Sequence, residues 1–493
     1  MTPGTHRGRE AATTVALTLL LAGCAVGPGF RRPLPPPVTA YTVRPLPART
    51  ARAPVPDGQA QRLVQGMNLP GQWWTLFHST ALDAIVSAAL RANPTLQAAQ
   101  ASLREAQAQL HAGEGAWYPA LSATTSATRE RLSGNEFGQP GVSRALTVKS
   151  ASLSVSYLLD PWGGTRRQVE SLAAQAEYQR FELEASYLTL TSSVVATAVL
   201  EASLRGQIRA TREIIRIEAR VLSGLERQFA IGTAADTAVL AQAAALAQTR
   251  AQLVPLQKQL ALTRDQLRTY LGRLPSERLF ARFTLSSLSL PRQVPVSLPS
   301  RLIEQRPDIR AAEEQLHAAS AQIGVATANM LPQVSLSASL GSESLGRLFT
   351  SKTGVWSIAA SLAEPLFEGG TLYYRRKAAI AAFEVRAAEY RQTVLSAFQN
   401  VADALRALEL DAEGLAAQSA AERAAAASLA ASRRQYHVGS ISYLSLLNAE
   451  QTYQQSRLAL VQAQAARFSD TAALFQALGG GWWNRRDVQG SRQ

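Results

Sequence analysis

The chain repeats its own punctuation at a distance of about 210 residues, and that duplication limits what it can fold into. Pro94 and Pro307 lie 213 positions apart, as do Pro119 and Pro332, within "ANPTLQAAQASLREAQAQLHAGEGAWYP" and "QRPDIRAAEEQLHAASAQIGVATANMLP". Further on, "RQFAIGTAADTAVLAQAAALAQTRAQL" from Arg227 answers "RQYHVGSISYLSLLNAEQTYQQSRLAL" from Arg434, with Gly232/Gly439 and Arg250/Arg457 both 207 apart. Between them "LDPWGGTRR" matches "AEPLFEGGTLYYRR". The offset shrinks only across the middle, where a hairpin of unequal length fits. A period this long is far outside the 20–50 residues of solenoid repeats, so each half is a large unit of one duplicated fold.

Each half predicts the same order of elements. A helix starts at Pro94 or Pro307, because proline suits the first turn, where its missing N–H costs nothing. The pattern then changes to alternation. "SLSVSYLLD" (Ser152–Asp160) sets Leu153, Val155 and Tyr157 against Ser152, Ser154 and Ser156. "QVSLSASLG" (Gln333–Gly341) and "VWSIAASL" (Val355–Leu362) alternate likewise, and Ser122–Arg131 more weakly. Half-buried strands on a soluble core would carry charge on the wet face. These carry Ser, Thr and Gly, at the roughly ten-residue length of a tilted membrane strand.

After each Gly-Gly comes a breaker-free helical stretch, Thr165–Phe229 and Thr371–Tyr436. About 65 residues at 1.5 Å each make roughly 100 Å. Gly232 and Gly439 then end these helices as C-caps, and a second helix returns. Leu246, Leu253, Leu256, Leu260 and Leu267 in one half, and Leu458, Val461, Ala465, Phe468, Ala472 and Phe475 in the other, step by three and four like a coiled-coil seam. Pro255 falls inside the first seam. "ASYLTLTSSVVATAVL" (Ala185–Leu200) is too short and too rich in Ser and Thr for a membrane helix and reads as a buried section.

The N-terminus carries a separate message. Arg7 and Arg9 precede the apolar run Ala11–Gly23, which has the length of a signal-peptide core. Leu21-Ala22-Gly23-Cys24 follows, and Cys24 is the only cysteine of 493 residues. These residues match the bacterial lipobox, which implies a diacylglycerol and an N-acyl chain on Cys24. An ordinary cleaved signal with a chance cysteine is the alternative. Ala25 stands where aspartate is the usual signal for inner-membrane retention, which favours the outer membrane. From Gly27 to Pro56 the chain is too proline-rich for helix or central strand and reads as an extended tether.

A net charge of +14, nearly all from arginine, raises nucleic-acid binding as a function class. The arginines are spread singly over Ala/Gln/Glu-rich stretches and aromatics are only 6%, so the pattern is a solvated helix face rather than a base-reading patch. One thiol cannot build a structural zinc site, and the five histidines are scattered without ligand spacing. No residue set suggests an enzyme.

Taken together, "CAVGPGFRRP", "QRPDIRAAEEQL" and "YHVGSISYLSLLNAEQTYQQSRLALVQAQAARFSDTAALFQALGGGW" resemble the TolC-type outer-membrane efflux proteins, in the lipoprotein branch that serves RND (resistance–nodulation–division) pumps. Gly29 departs from the aspartate many relatives carry there. The resemblance implies an α+β membrane protein, with a long α-helical coiled-coil barrel and four membrane strands per chain. Three chains would complete a 12-stranded β-barrel. It implies a homotrimer working with a periplasmic adaptor and an inner-membrane RND-type pump, bound to outer-membrane lipid and not to nucleic acid. The function implied is a passive exit duct for small molecules, with a protein (type I) secretion channel as the alternative. No cofactor is implied beyond the lipid on Cys24. Expected segments are a signal peptide (1–23), a Pro-rich tether (24–75), a first repeat (76–290), a second repeat (291–481) and a short tail (482–493). The turns at Gly232 and Gly439 are expected at the periplasmic tip, where an adaptor docks. Relatives narrow the tip with aspartates, but those positions here are Ser445 and Asn448, and Asp236 of the first half is shifted in register. Asp236, Tyr443 and Leu446 are the candidates for a constriction, with plain packing as the alternative role.

Overall fold

A computed structural model of the chain describes residues 25–133 and 143–485. The expected signal peptide, Cys24 and residues 486–493 of the expected tail lie outside the described residues. In chain order the elements are β1 (Arg62–Gln65), α1 (Thr80–Ala92), α2 (Pro94–Glu114), β2 (Ala120–Ser133), β3 (Ser143–Leu159), α3 (Gly164–Ala230) and α4 (Asp236–Tyr270). Then come β4 (Gln293–Val296), α5 (Pro299–Gln305), α6 (Pro307–Ala328), β5 (Gln333–Ser344), β6 (Gly354–Ala363), α7 (Thr371–His437) and α8 (Tyr443–Ala477). The duplication is visible in the lengths, since α3 and α7 have 67 residues each and α4 and α8 have 35 each. Helix α4 continues through Pro255.

The chain divides into two compact units that do not coincide with the two repeats. One comprises residues 1–33, 102–180 and 311–391, the other residues 34–101, 181–310 and 392–493. Each therefore draws on both sequence halves, because equivalent elements of the two halves pair with one another.

The first unit holds a four-stranded antiparallel sheet in the order β2-β3-β5-β6. Its register sorts the side chains by chemistry. Leu121, Val155, Ala338 and Ile358 form one row across the sheet, and Ala123, Leu153, Leu340 and Trp356 the next on the same face. The opposite face carries Ser122, Ser154, Ser339 and Ser357. Serine pairs bond across it, Ser126–Ser150 at 2.8 Å, Ser335–Ser361 at 2.6 Å and Ser339–Ser357 at 2.8 Å. On the apolar face Leu121, Leu340, Trp356, Ile358 and Leu362 are all more than 60% exposed within the chain. Among the described residues, strands β2 and β6 each leave one edge unpaired.

In this unit the start of the expected tether is fastened rather than free. The Phe30 ring stacks on His317 at 4.4 Å, and Arg32 pairs with Glu313 at 2.5 Å. Arg167 donates to the carbonyls of Val26 and Gly27. His317 lies between Glu170 and Glu314, and these two carboxylates hold its pKa above the usual histidine range against the opposing effect of burial.

The second unit contains most of the four long helices and a small parallel sheet, β1 on β4. Its aromatic core joins Trp73, Trp74 and Phe77 to Phe468 and Phe475 of α8, with Trp73 and Phe475 5.8 Å apart. The stretch Ala185–Leu200 lies on α3 with Val194, Val195, Ala198 and Val199 buried. Two expected boundaries are corrected here. The segment assigned to the tether contributes β1 and the buried Trp73 and Trp74, because two adjacent tryptophans bury too much apolar surface to stay outside a core. The expected tail begins with Trp482, which is buried and donates to the Gln305 carbonyl at 2.7 Å, while Arg485 grips Glu184 at 2.8 Å.

Candidate functional site: the two helical turns and the polar layer behind them

Helices α3 and α4 are joined by a turn at Gly232, and α7 and α8 by a turn at Gly439. The φ angles are +74° and +73°, a left-handed backbone that glycine adopts without strain. The hydrogen bonds repeat almost atom for atom. Gly232 N–H donates to Phe229 O at 2.9 Å and Thr233 N–H to Gln228 O at 2.8 Å. Gly439 N–H donates to Tyr436 O at 3.0 Å and Ser440 N–H to Gln435 O at 2.9 Å. The hydroxyls of Thr233 and Ser440 each return to that same Gln carbonyl at 3.0 Å. A Cβ on either glycine would meet nothing within 4 Å. Glycine is therefore required by backbone shape and not by crowding.

Asp236 and Tyr443 occupy equivalent places, as the first residue of α4 and of α8. Asp236 is exposed at a helix N-terminus, where a negative charge is favourable. Tyr443 is half-buried, packs edge-on against Tyr436 at 5.8 Å, and donates its hydroxyl to Gln242 Oε1 of α4. It thus links the second hairpin to the first. Leu446 is 3% exposed within the single chain, so the expectation that it lines a constriction is corrected. Its side chain is enclosed by its own chain, which suits the packing role. The exposed side chains on this turn of α8 are Leu444, Ser445 and Asn448.

Behind Tyr443 lies a buried polar layer to which all four helices contribute. Glu218 of α3 accepts from Thr249 Oγ1 of α4 at 3.0 Å, and Gln242 Nε2 donates to the Glu218 carbonyl at 3.1 Å. Gln454 of α8 donates to Gln252 Oε1 at 3.1 Å. Glu450 of α8 accepts from Arg433 of α7 at 3.2 Å. Glu218 and Glu450 are 3% and 6% exposed, and each has one carboxylate oxygen with no hydrogen-bond partner among the described residues. Burial pushes the Glu218 carboxyl up to about 7, the Thr249 bond opposes this, and the charge of Glu450 adds to it. Burial also raises Glu450, against the pull of Arg433.

Sequence reasoning did not single out Glu218, Gln242, Thr249, Glu450 or Gln454. The signal was present in the seams. Gln242 and Thr249 precede and follow Leu246 at the four- and three-residue steps where apolar residues are expected.

The chain matches the family described as outer membrane efflux protein over residues 85–273 and 298–480, once in each half. It is 34% identical over 426 residues to the pyoverdine export outer membrane protein OpmQ of Pseudomonas aeruginosa, covering 84% of this chain and 88% of that one. It is 28% identical over 479 residues to the cation efflux system protein CusC of Escherichia coli O6:H1, covering 94% and 97%. The solved structure of the outer-membrane channel OprN superposes with a TM-score of 0.82 at 27% identity, over 93% of this chain and all of that one. With the family's pattern found in both halves, and the sheet and paired hairpins arranged as in a solved channel, this chain belongs to the outer membrane efflux protein family.

Proposed function

We propose that the protein is the outer-membrane exit duct of a tripartite small-molecule efflux pump, acting as a homotrimer. The observation that carries this reading is the four-stranded sheet, with one apolar face, one Ser/Thr face and two open edges. Hydrocarbon tolerates no unpaired strand edge. Four strands are too few to close a barrel, whereas three copies supply twelve. The apolar face then meets lipid and the hydroxyl face lines a water-filled lumen. Such a duct needs no catalytic group, and the energy comes from an inner-membrane transporter of the RND class. The turns at Gly232 and Gly439 are proposed as the docking end for the periplasmic adaptor. Cys24 carries the lipid that holds the chain's start at the membrane.

The test expresses the chain with an RND pump and its adaptor in cells lacking their own outer-membrane channel. Ethidium accumulation is expected to fall, and the protein purified in detergent is expected to have the mass of three chains with an acylated N-terminal Cys24. A compact monomer with full β-content would sink the barrel reading. Export of a protein substrate without any effect on ethidium would replace small molecules as the cargo.

A further inference from the structure

The two strand hairpins are unequal. Strands β5 and β6 have 12 and 10 residues, whereas β2 and β3 have 14 and 17. The last row that β5 joins is Ala127–Lys149–Ser344, and beyond it β2 and β3 pair alone through Arg129–Thr147 and Arg131–Ala145. Those rows lie at the end of the sheet away from α2 and α3, which adjoin the first residue of β2 and the last of β3.

The charges in these strands are sorted by face. Counting in twos along the register, Lys149, Arg129 and Arg131 fall on the same face as Leu121, Leu153, Leu340 and Trp356. All three are exposed. Among the described side chains of the strands, the acidic residues Glu130 and Glu343 fall on the Ser/Thr face. No described carboxylate therefore shares the face of the three cations. Their height also fits a membrane boundary. Leu159 and Lys149 are ten residues apart on β3, or about 33 Å along the strand and roughly 25 Å along the membrane normal at a tilt near 40°, the height of a barrel's apolar band. Arg129 and Arg131 then stand one and two rows above the hydrocarbon, on the lipid side.

We propose that Arg129, Arg131 and Lys149 form a binding surface for the phosphate groups of the phosphorylated glycolipid in the outer leaflet of the outer membrane. The inference rests on the proposed barrel. Arginine suits the task because its planar fork bonds two phosphate oxygens together. Arg131 is already steadied by Ser143, to whose hydroxyl its guanidinium donates at 2.7 and 3.0 Å. The six residues by which the first half exceeds the second between the Pro94/Pro307 and Gly232/Gly439 landmarks fall where this basic projection is built.

The test measures binding of bis-phosphorylated lipid A to the purified trimer in phosphatidylcholine nanodiscs by native mass spectrometry. The same measurement is made with dephosphorylated lipid A, with phosphatidylglycerol as competitor, and with the variant R129S/R131S/K149S. Binding is expected to weaken at least tenfold in the triple variant and with the dephosphorylated probe, and to weaken less in R129K/R131K, which keeps the charge but loses the fork. Should the triple variant fail to insert, each single variant is expected to weaken binding two- to fivefold. Equal binding by wild type and variants, or indifference to the phosphates, overturns the proposal. Complete displacement by equimolar phosphatidylglycerol overturns the choice of glycolipid. An intact trimer of unchanged β-content with unaltered binding would refute this surface alone, whereas a wild-type chain that never forms a trimer would refute the barrel beneath it.

Discussion

The two helical turns are copies of one another in backbone, yet they are finished by different chemistry. Gly232 and Gly439 share φ, hydrogen-bond pattern and a following hydroxyl. The helices they introduce diverge at once. Helix α4 begins with an exposed aspartate after an alanine N-cap that makes no side-chain bond. Helix α8 begins with a tyrosine bonded to α4, after Ser442, whose hydroxyl accepts from Ser445 N–H. The turn is common to both halves, because a left-handed glycine lets the chain reverse between two antiparallel helices without strain. The side chains then specialised. The second hairpin is the one that reaches across to hold the first.

The largest expected effect comes from the carboxylates behind the turns. The folded pKa of Glu218 stands near 7, above its unfolded value of 4.5. Its contribution to stability is therefore fully present below about 4.5 and is lost as the pH rises through about 7, when a charge must be held in a buried site. A shift of this size is worth on the order of 3 kcal/mol. Amide exchange in α4 and α8 near Gln242 and Glu450, corrected for intrinsic rates, is expected to quicken between pH 5 and 8. Glu218→Gln is expected to remove most of that dependence and to protect the layer at pH 8. A pH profile unchanged by the substitution would dissociate Glu218 from the layer's stability.

Next in size is the strain at the turns. Valine at a left-handed position costs about 1–2 kcal/mol, and with open space around both Cβ positions no clash adds to it. Gly232→Val and Gly439→Val are thus expected to destabilise their hairpins equally, by amide exchange, while the proposed trimer and its β-content persist. Adaptor crosslinking from residues 233 and 440 is expected to fall in both. A much larger loss at Gly439 would mean that the Tyr443 link depends on the shape of the turn.

Tyr443→Phe tests that link directly and is expected to cost about 1 kcal/mol, the net worth of one hydrogen bond. Because Gln242 is fully buried, its freed oxygen raises the cost toward the upper end. Asp236→Asn, at the equivalent place, is expected to cost only about 0.5 kcal/mol, since it weakens a helix-end charge interaction in solvent.

These particulars also mark how far the amino-acid order could be read. Proline and glycine positions revealed the helix starts and the turns, because proline fixes φ at a value suited to a first turn and glycine alone takes a left-handed backbone without strain. Alternation revealed the strands, since a two-sided environment leaves a period of two in residues such as Ser152 to Tyr157. The tether and tail boundaries were misplaced, because Phe30, Trp73 and Trp482 act through partners far along the chain. The polar layer was missed for a similar reason. A glutamate on a 67-residue helix reads as a solvated charge unless one knows that α4 bonds it and α8 brings a second carboxylate near it. The assignment of Leu446 failed because the periodicity of one helix shows that a residue is inward, without showing whether inward means core or lumen.

A capping change of comparable size is the cleanest test of the divergence between the turns. Ser445 N–H of α8 donates to both the carbonyl and the hydroxyl of Ser442, whereas Ala238 N–H, its counterpart in α4, donates to the Ala235 carbonyl and finds no hydroxyl on that residue. Ala235 has the extended backbone of an N-cap residue, φ −79° and ψ 145°, close to the −71° and 158° of Ser442. A serine there needs no change of backbone to reach the N–H two or three residues on. Ala235→Ser is therefore expected to slow amide exchange in the first turns of α4, with a gain of about 0.5–1 kcal/mol, and Ser442→Ala to lose about as much from α8. The exposed position of Ala235 means that the added hydroxyl displaces nothing, so the gain is not offset by repacking. A serine that leaves α4 unprotected would show that α4's start is held by Asp236 and the Thr233 turn alone, and that the two hairpins reached equal stability by different routes.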